Sequence, residues 1–204
     1  MSGSPGAPKA YDQRYFERWY RGRSAVATPA ELSRRVRLAL AAAEFVLERP
    51  VRSVLDVGCG EGRWRAPLVR ARKGLRYVGV DGSDWAVRRW GRVRGIRKGS
   101  FGEVGALGLR GPFDLVVCAD VVHYVPTPEL RRGLAALAEF TGGLLWLEAF
   151  TTDDDFEGDK DRWQPRSAVD YARLLKRAGF APCGLNGWVT AERGERLTAL
   201  ERLR

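Results

Sequence analysis

Val54-Leu55-Asp56-Val57-Gly58-Cys59-Gly60-Glu61-Gly62 decides how the rest of the chain is read. A short apolar run empties into a turn carrying glycine at alternate positions, the form of a buried strand that leads into a loop and then a helix. Glycine is needed there because a side chain would keep a ligand away from the backbone. In open α/β sheets such a turn lies at the carboxyl end of the first strand, where ligands bind. Several ligands can use that geometry, and two details narrow it. A dinucleotide fingerprint, G-x-G-x-x-G, would need glycine at position 63, which is Arg63. Asp56 stands just before the loop, where its carboxylate would repel a pyrophosphate but not an ammonium group. The ligand is therefore zwitterionic rather than polyanionic. Val78-Gly79-Val80-Asp81 then ends the next strand about twenty residues beyond the loop, and the Asp81 carboxylate there can accept two hydrogen bonds from vicinal ribose hydroxyls. Together these residues describe a site for a nucleoside with an amino-acid end.

Outward from the loop, short β-rich runs alternate with helical stretches, the signature of a parallel sheet covered on both faces. The pattern predicts strands over Ser53–Val57, Tyr77–Val80, Ile96–Lys98, Asp114–Cys118 and Leu144–Glu148. It predicts helices near Arg63–Arg72, Trp85–Arg92, Thr127–Phe140 and Arg166–Ala178. Upstream, Thr28, Pro29 and Glu31 have the form of a capping box, followed by Leu32, Val36, Leu40 and Ala43 at helical spacing. Downstream of Gly179, two β-rich runs, Pro182–Thr190 and Arg196–Leu203, follow without a crossover and are expected to pair as an antiparallel hairpin at one sheet edge. Residues 1–9 lack periodicity and read as a mobile tail. Tyr11 to Tyr20 is an aromatic segment with Tyr15/Trp19 and Phe16/Tyr20 four apart, as on a helix. The chain thus divides into a tail and aromatic segment over 1–22, a possible lid, and one domain over 23–204.

The 204 residues suit one such domain and one site, and 45% apolar with 29% charged residues is a globular balance. The longest apolar runs fall far short of the ~20 residues that span a bilayer. Three scattered cysteines give neither a zinc spacing nor a disulfide framework, which favours a cytoplasmic setting. A net charge of +10 invites a nucleic-acid partner, but the excess is arginine dispersed along the chain rather than clustered, which makes that partner the lesser expectation.

The glycine loop, Asp81 and the run Phe113-Asp114-Leu115-Val116-Val117-Cys118-Ala119-Asp120, in that order and spacing, resemble the class I S-adenosylmethionine-dependent methyltransferase family, with a match from about Val54 to Glu148 and again in the terminal hairpin. The resemblance implies a three-layer Rossmann-like fold, with a seven-stranded, mostly parallel sheet and a C-terminal antiparallel hairpin, and S-adenosyl-L-methionine as cofactor. It places Gly58 and Gly60 under the methionine portion, Asp56 toward its ammonium, Asp81 on the ribose and Asp120 in the cofactor pocket or, alternatively, as a cap for the following turn. The family's acid after the third strand, which reads the adenine amino group, is replaced by Ser100. Adenine recognition would then fall to Ser100 and to the backbone and ring of Phe101.

His123, the chain's single histidine, follows strand four at Asp120-Val121-Val122-His123-Tyr124 and is a candidate general base, with a structural role as the alternative. Glu148 at the end of strand five is a second catalytic candidate. Arg14 is a candidate ligand for the methionine carboxylate, and Tyr15, Trp19 and Tyr124 for the methyl acceptor. The acidic run Asp153 to Asp161 would attract an amine or a divalent cation, or is simply a solvated loop; no metal ligands are assigned. The Pro-Pro-aromatic signature that resembling DNA and amide-nitrogen methyltransferases carry after strand four is absent, and no recognition module is appended. A small-molecule O- or N-methylation is therefore expected, by a monomer or homodimer, with RNA or protein methylation and a non-catalytic binding module as alternatives.

Overall fold

A computed structural model describes residues 11–21, 27–155, 159–198 and 201. Its centre is a seven-stranded sheet: β1 (Ser53–Val57), β2 (Arg76–Asp81), β3 (Ile96–Lys98), β4 (Phe113–Ala119), β5 (Thr141–Glu148), β6 (Phe180–Pro182) and β7 (Gly187–Thr190). Their spatial order is β3-β2-β1-β4-β5-β7-β6, parallel throughout except that β7 runs antiparallel to both β5 and β6. The order reverses between β1 and β4, so the carboxyl ends of these two strands diverge into a crevice, the position at which such sheets bind ligands.

The central strands are apolar on both faces because both are covered. Val54, Leu115, Val117, Leu144 and Trp146 pack with Leu32, Val36, Ala39, Leu40 and Ala43 of α2 (Pro29–Leu47) and with Leu68 of α3 (Arg65–Ala71). Their sequence neighbours Leu55, Val116, Cys118, Leu145 and Leu147 point the other way, onto Leu130, Leu134 and Leu137 of α5 (Thr127–Phe140) and Tyr171 and Leu175 of α6 (Ala168–Arg177). This period-two alternation assigns each face of the sheet its own core. The Thr28/Glu31 capping box forms as expected, with Glu31 N–H donating to Thr28 Oγ1 and Thr28 N–H to Glu31 Oε2. The remaining helices are α1 (Gln13–Tyr20), α4 (Asp84–Arg94) and α7 (Ala191–Gly194).

The terminal hairpin departs from the sequence expectation. Both of its strands lie within 180–190, turning through Gly184 and Leu185, whose φ values are +98° and +48°. Cys183 N–H donates to Gly187 O across the turn. The run at 196–203 does not supply the second strand: 191–194 is helical, 196–198 and 201 are outside any strand, and 199, 200 and 202–204 lie outside the described residues. Leu197 instead packs against the core under α2, so its apolar character serves burial rather than pairing. The expected tail over 1–9 also lies outside the described residues.

Candidate functional site

A cavity of about 210 Å³ opens at the carboxyl ends of β1, β2 and β4. Its floor is the glycine loop. Gly58 N–H and Cys59 N–H both donate to Val80 O, which folds the loop back over β2, and Gly58, Gly60 and Gly62 all adopt positive φ, a conformation that favours glycine. Asp81 lines the cavity and is held rigidly: Gly60 N–H donates to its Oδ2 at 2.7 Å and Ser83 N–H to its Oδ1 at 2.8 Å. Burial pushes its carboxyl above the usual range, against the lowering effect of those two N–H groups. Each oxygen keeps a second lone pair, so the carboxylate retains the capacity to accept two hydroxyls.

The opposite wall is the turn after β4. Asp120 holds φ of +60° and its N–H donates to Glu148 O. Its side chain lines the cavity 3.7 Å from Arg35 Nη1, which also binds Glu148 Oε2 at 2.7 Å; Trp146 Nε1 donates to the other Glu148 oxygen. Burial, reinforced by the negative charge of Glu148, pushes Asp120 up to about 6. Val121 then presses on Gly58 so closely that a Cβ there would stand 2.2 Å from its Cγ2.

The roof is α1. Asp12 caps it by accepting from Tyr15 N–H, Ser83 Oγ donates to Tyr11 O at one end, and Arg21 binds Glu61 at 2.9 Å at the other. Phe16 is 2% exposed, stacked on Trp85, and with the Tyr20 hydroxyl it comes directly over Gly60. Tyr11, Tyr15, Phe16 and Tyr20 face the cavity, whereas Arg14 is exposed and neither it nor Trp19 lines it. The docked face therefore follows 11, 15, 16 and 20, which takes the Phe16/Tyr20 pairing of the sequence whole and only Tyr15 of the Tyr15/Trp19 pairing. Burial raises the phenols of Tyr15 and Tyr20 well above their ordinary range and that of Tyr11 to about 12, so all three are neutral hydrogen-bond donors at physiological pH.

The other sequence candidates separate into those the cavity gathers and those it leaves behind. Gly58, Gly60, Ser100, Phe101 and Tyr124 line it. The Ser100 hydroxyl and N–H are both committed to Glu103 Oε2, and the Tyr124 hydroxyl donates to Asp159 O. Asp56 is 2% exposed beneath the loop and accepts from the Tyr77 hydroxyl at 2.7 Å; burial pushes it up to about 7. It does not line the cavity. His123 is 1% exposed, its Nδ1 accepts a 3.4 Å hydrogen bond from Phe150 N–H, and it too stands off the cavity, as does Glu148. In the acidic loop, Asp153 accepts from Ala168 N–H at the start of α6 and Asp154 accepts from Thr151 in a local turn; 156–158 lie outside the described residues. Among the described residues no group of three or more His, Cys, Asp or Glu is placed to hold a metal ion.

Glu129 and Arg166 were missed by sequence reasoning. Glu129, on the first turn of α5, lines the cavity beside Ser100 and Phe101. Buried Arg166 donates to Val122 O, Val125 O and Thr127 Oγ1 and so pins the cavity turn to the start of α6. Neither carries a motif, because each acts through a tertiary juxtaposition.

Comparison with known proteins agrees with this geometry. The profile of a methyltransferase domain family matches residues 27–183. No curated protein sequence matches. Among solved structures, a SAM-dependent methyltransferase from Archaeoglobus fulgidus superposes with a TM-score of 0.63 at 17% identity, over 82% of this chain and 73% of that one. A sugar N-methyltransferase from a Streptoalloteichus species gives 0.62 at 20%, over 88% and 89%. The magnesium protoporphyrin IX methyltransferase of Synechocystis, solved with bound SAH, gives 0.54 at 22%, over 83% and 86%. At these identities the superpositions speak to the fold.

Proposed function

The chain belongs to the class I S-adenosylmethionine-dependent methyltransferase family, and from that membership we propose that it methylates an O or N atom of a small-molecule acceptor inside the roofed cavity. The observation that carries the reading is the cavity itself: a rigid carboxylate, Asp81, beside a side-chain-free glycine floor, closed by an aromatic roof. The bound cofactor supplies an electrophilic methyl group on a sulfonium, whose departure as a neutral thioether makes alignment and the exclusion of water the main requirements. Asp81 accepts the ribose hydroxyls, while Gly58 and Gly60 let the methionine portion lie against the loop. Tyr11, Tyr15, Phe16 and Tyr20 exclude water from above. Asp56 acts from behind the loop, fixing Tyr77 and adding negative potential toward the ammonium.

An N–H or O–H acceptor must lose a proton. Asp120 lines the cavity with its carboxyl pushed up to about 6 by burial, which suits it to take up that proton, whereas His123 supports the wall behind. The roof that α1 lays over the glycine loop favours a small acceptor over a polymer. Cys59, Cys118 and Cys183 are all free, which fits a reducing cytoplasm, and no described helix is long and apolar enough to cross a membrane.

Calorimetric titration with S-adenosylmethionine and S-adenosylhomocysteine tests the cofactor assignment. Saturable one-to-one binding of both is expected, and absence of binding by folded protein sinks it. A screen of amines and alcohols for methyl incorporation then tests the reaction, and tight cofactor binding without turnover on any acceptor class would favour a non-catalytic binding module.

A further inference from the structure

Three carboxylates line the cavity, and two are engaged: Asp81 by the N–H groups of Gly60 and Ser83, Asp120 by Arg35. The third, Glu129, makes no hydrogen bond or ion pair among the described residues. Its place is fixed all the same. The 3₁₀ turn Phe101–Ala106 after β3 docks along one face of α5, where Glu129, Gly133 and Ala136 recur at spacings of four and three. A Cβ on Gly102 would meet the Glu129 Cβ at 3.1 Å, one on Gly105 the Ala136 Cβ at 3.0 Å, and one on Gly133 the Phe101 ring at 2.3 Å. Glycines at all three positions allow this approach, and it brings the stem of Glu129 against the turn that starts at Ser100. At that end of the cavity Ser100 and Glu103 hold one another in a reciprocal cap, which leaves Glu129 as the lining carboxylate without a partner among the described residues.

We propose that Glu129 reads the adenine of the cofactor, its carboxylate accepting a hydrogen bond from the exocyclic 6-amino group in place of the acid that Ser100 lacks. The inference rests on the cofactor assignment above. With the ribose on Asp81 at the end of β2, a base that extends toward the end of β3 meets Gly99, Ser100 and Phe101 with Glu129 packed beside them. A carboxylate there distinguishes an amine donor from a carbonyl: it attracts the 6-amino group of adenine and repels the O6 of hypoxanthine.

The test is calorimetric binding of S-adenosylhomocysteine and of its inosine analogue, in which a carbonyl replaces the 6-amino group. Wild type is expected to prefer the adenosine compound by about tenfold or more, the scale of one charge-assisted hydrogen bond. Glu129→Ala should weaken the adenosine compound about tenfold while leaving the analogue within about twofold, so the preference collapses. Glu129→Gln, whose amide can accept from an amine or donate to a carbonyl, should narrow the preference by tightening the analogue; it serves as the test if the alanine variant is unstable. An undiminished preference in either folded variant overturns the role of Glu129 and leaves the cofactor assignment standing. Failure of wild type to bind the adenosine compound at all overturns the cofactor assignment, and this inference with it.

Discussion

Gly58→Ala separates two physical demands that meet at one position. The residue has φ of +72°, which costs an L-residue roughly 1–2 kcal/mol. Its new Cβ would also stand 2.2 Å from Val121 Cγ2 and 2.8 Å from Cγ1, an overlap that must move Val121 or the loop and that costs roughly 1–3 kcal/mol as overpacking. The sum, about 2–5 kcal/mol, is a large fraction of the stability of an ordinary domain. The two parts can be divided with Val121→Ala, which removes both clashing methyl groups. The double variant should then retain the backbone strain and lose most of the overlap, giving a favourable coupling of at least about 1 kcal/mol. Urea unfolding followed by tryptophan fluorescence measures all four corners of the cycle. Val121 and Asp120 share the cavity wall, so the single Gly58→Ala variant should also bind S-adenosylhomocysteine at least about tenfold more weakly. If the two single effects add to within about 0.5 kcal/mol, the loop does not bear on Val121 as described and the close approach of the two turns is wrong.

Asp81→Ala should weaken cofactor binding by roughly 1.5–3 kcal/mol, the scale for hydrogen bonds to a charged group, and calorimetry should find no such loss in a variant altered at exposed Arg92. Arg166→Ala removes the buried donor of Val125 O and one of the two donors to Val122 O, and should destabilise the protein by roughly 2–4 kcal/mol in chemical unfolding. Lysine at the same position should restore only part of this, because one ammonium cannot reproduce the guanidinium fork.

What the sequence makes legible follows from the range of the interaction involved. Strand β1, helix α5 and the capping box at Thr28 depend on neighbours within a few residues, and their bounds agree with the pattern in the chain. The glycine loop and Asp81 are legible for a related reason: Gly60 N–H bonds Asp81 Oδ2, so the floor of the site is built from two adjacent strand ends. Reading Pro182–Thr190 as one strand passes over a turn signal within it, Gly184-Leu185-Asn186-Gly187, where Gly184 and Leu185 take positive φ. The inward face of α1 depends on which rotation docks on Trp85 and Gly60, and a helix with tyrosines and tryptophan all round does not encode that locally. Arg35, Glu148 and Asp120 come together from α2, β5 and the end of β4, and no local spacing announces such a group.

Three neighbouring strand ends carry an acid: Asp81 on β2 and Asp120 just beyond β4 line the cavity, and Asp56 on β1 lies buried beneath the loop. Each carboxyl is raised by burial, Asp56 to about 7 and Asp120 to about 6, in a chain whose net charge is +10. A raised carboxyl pKa means that the folded protein holds protons more tightly than the unfolded chain, so ionising these groups costs stability as pH rises from about 4 to about 7. A cationic ligand reverses that cost, because positive charge beside a carboxylate favours its ionised form. Binding of S-adenosylmethionine should therefore release protons at pH 6, with affinity rising as pH increases from 5.5 to 7.5 and levelling off above. The demethylated product keeps its ammonium but lacks the sulfonium charge, so its affinity should rise less, and the preference for cofactor over product should grow with pH. Calorimetry at pH 6 and pH 8 in buffers of different ionisation enthalpy measures the proton count directly. Proton uptake at pH 6, or a preference that does not change with pH, would show that the three carboxylates do not sense the charge of the bound ligand.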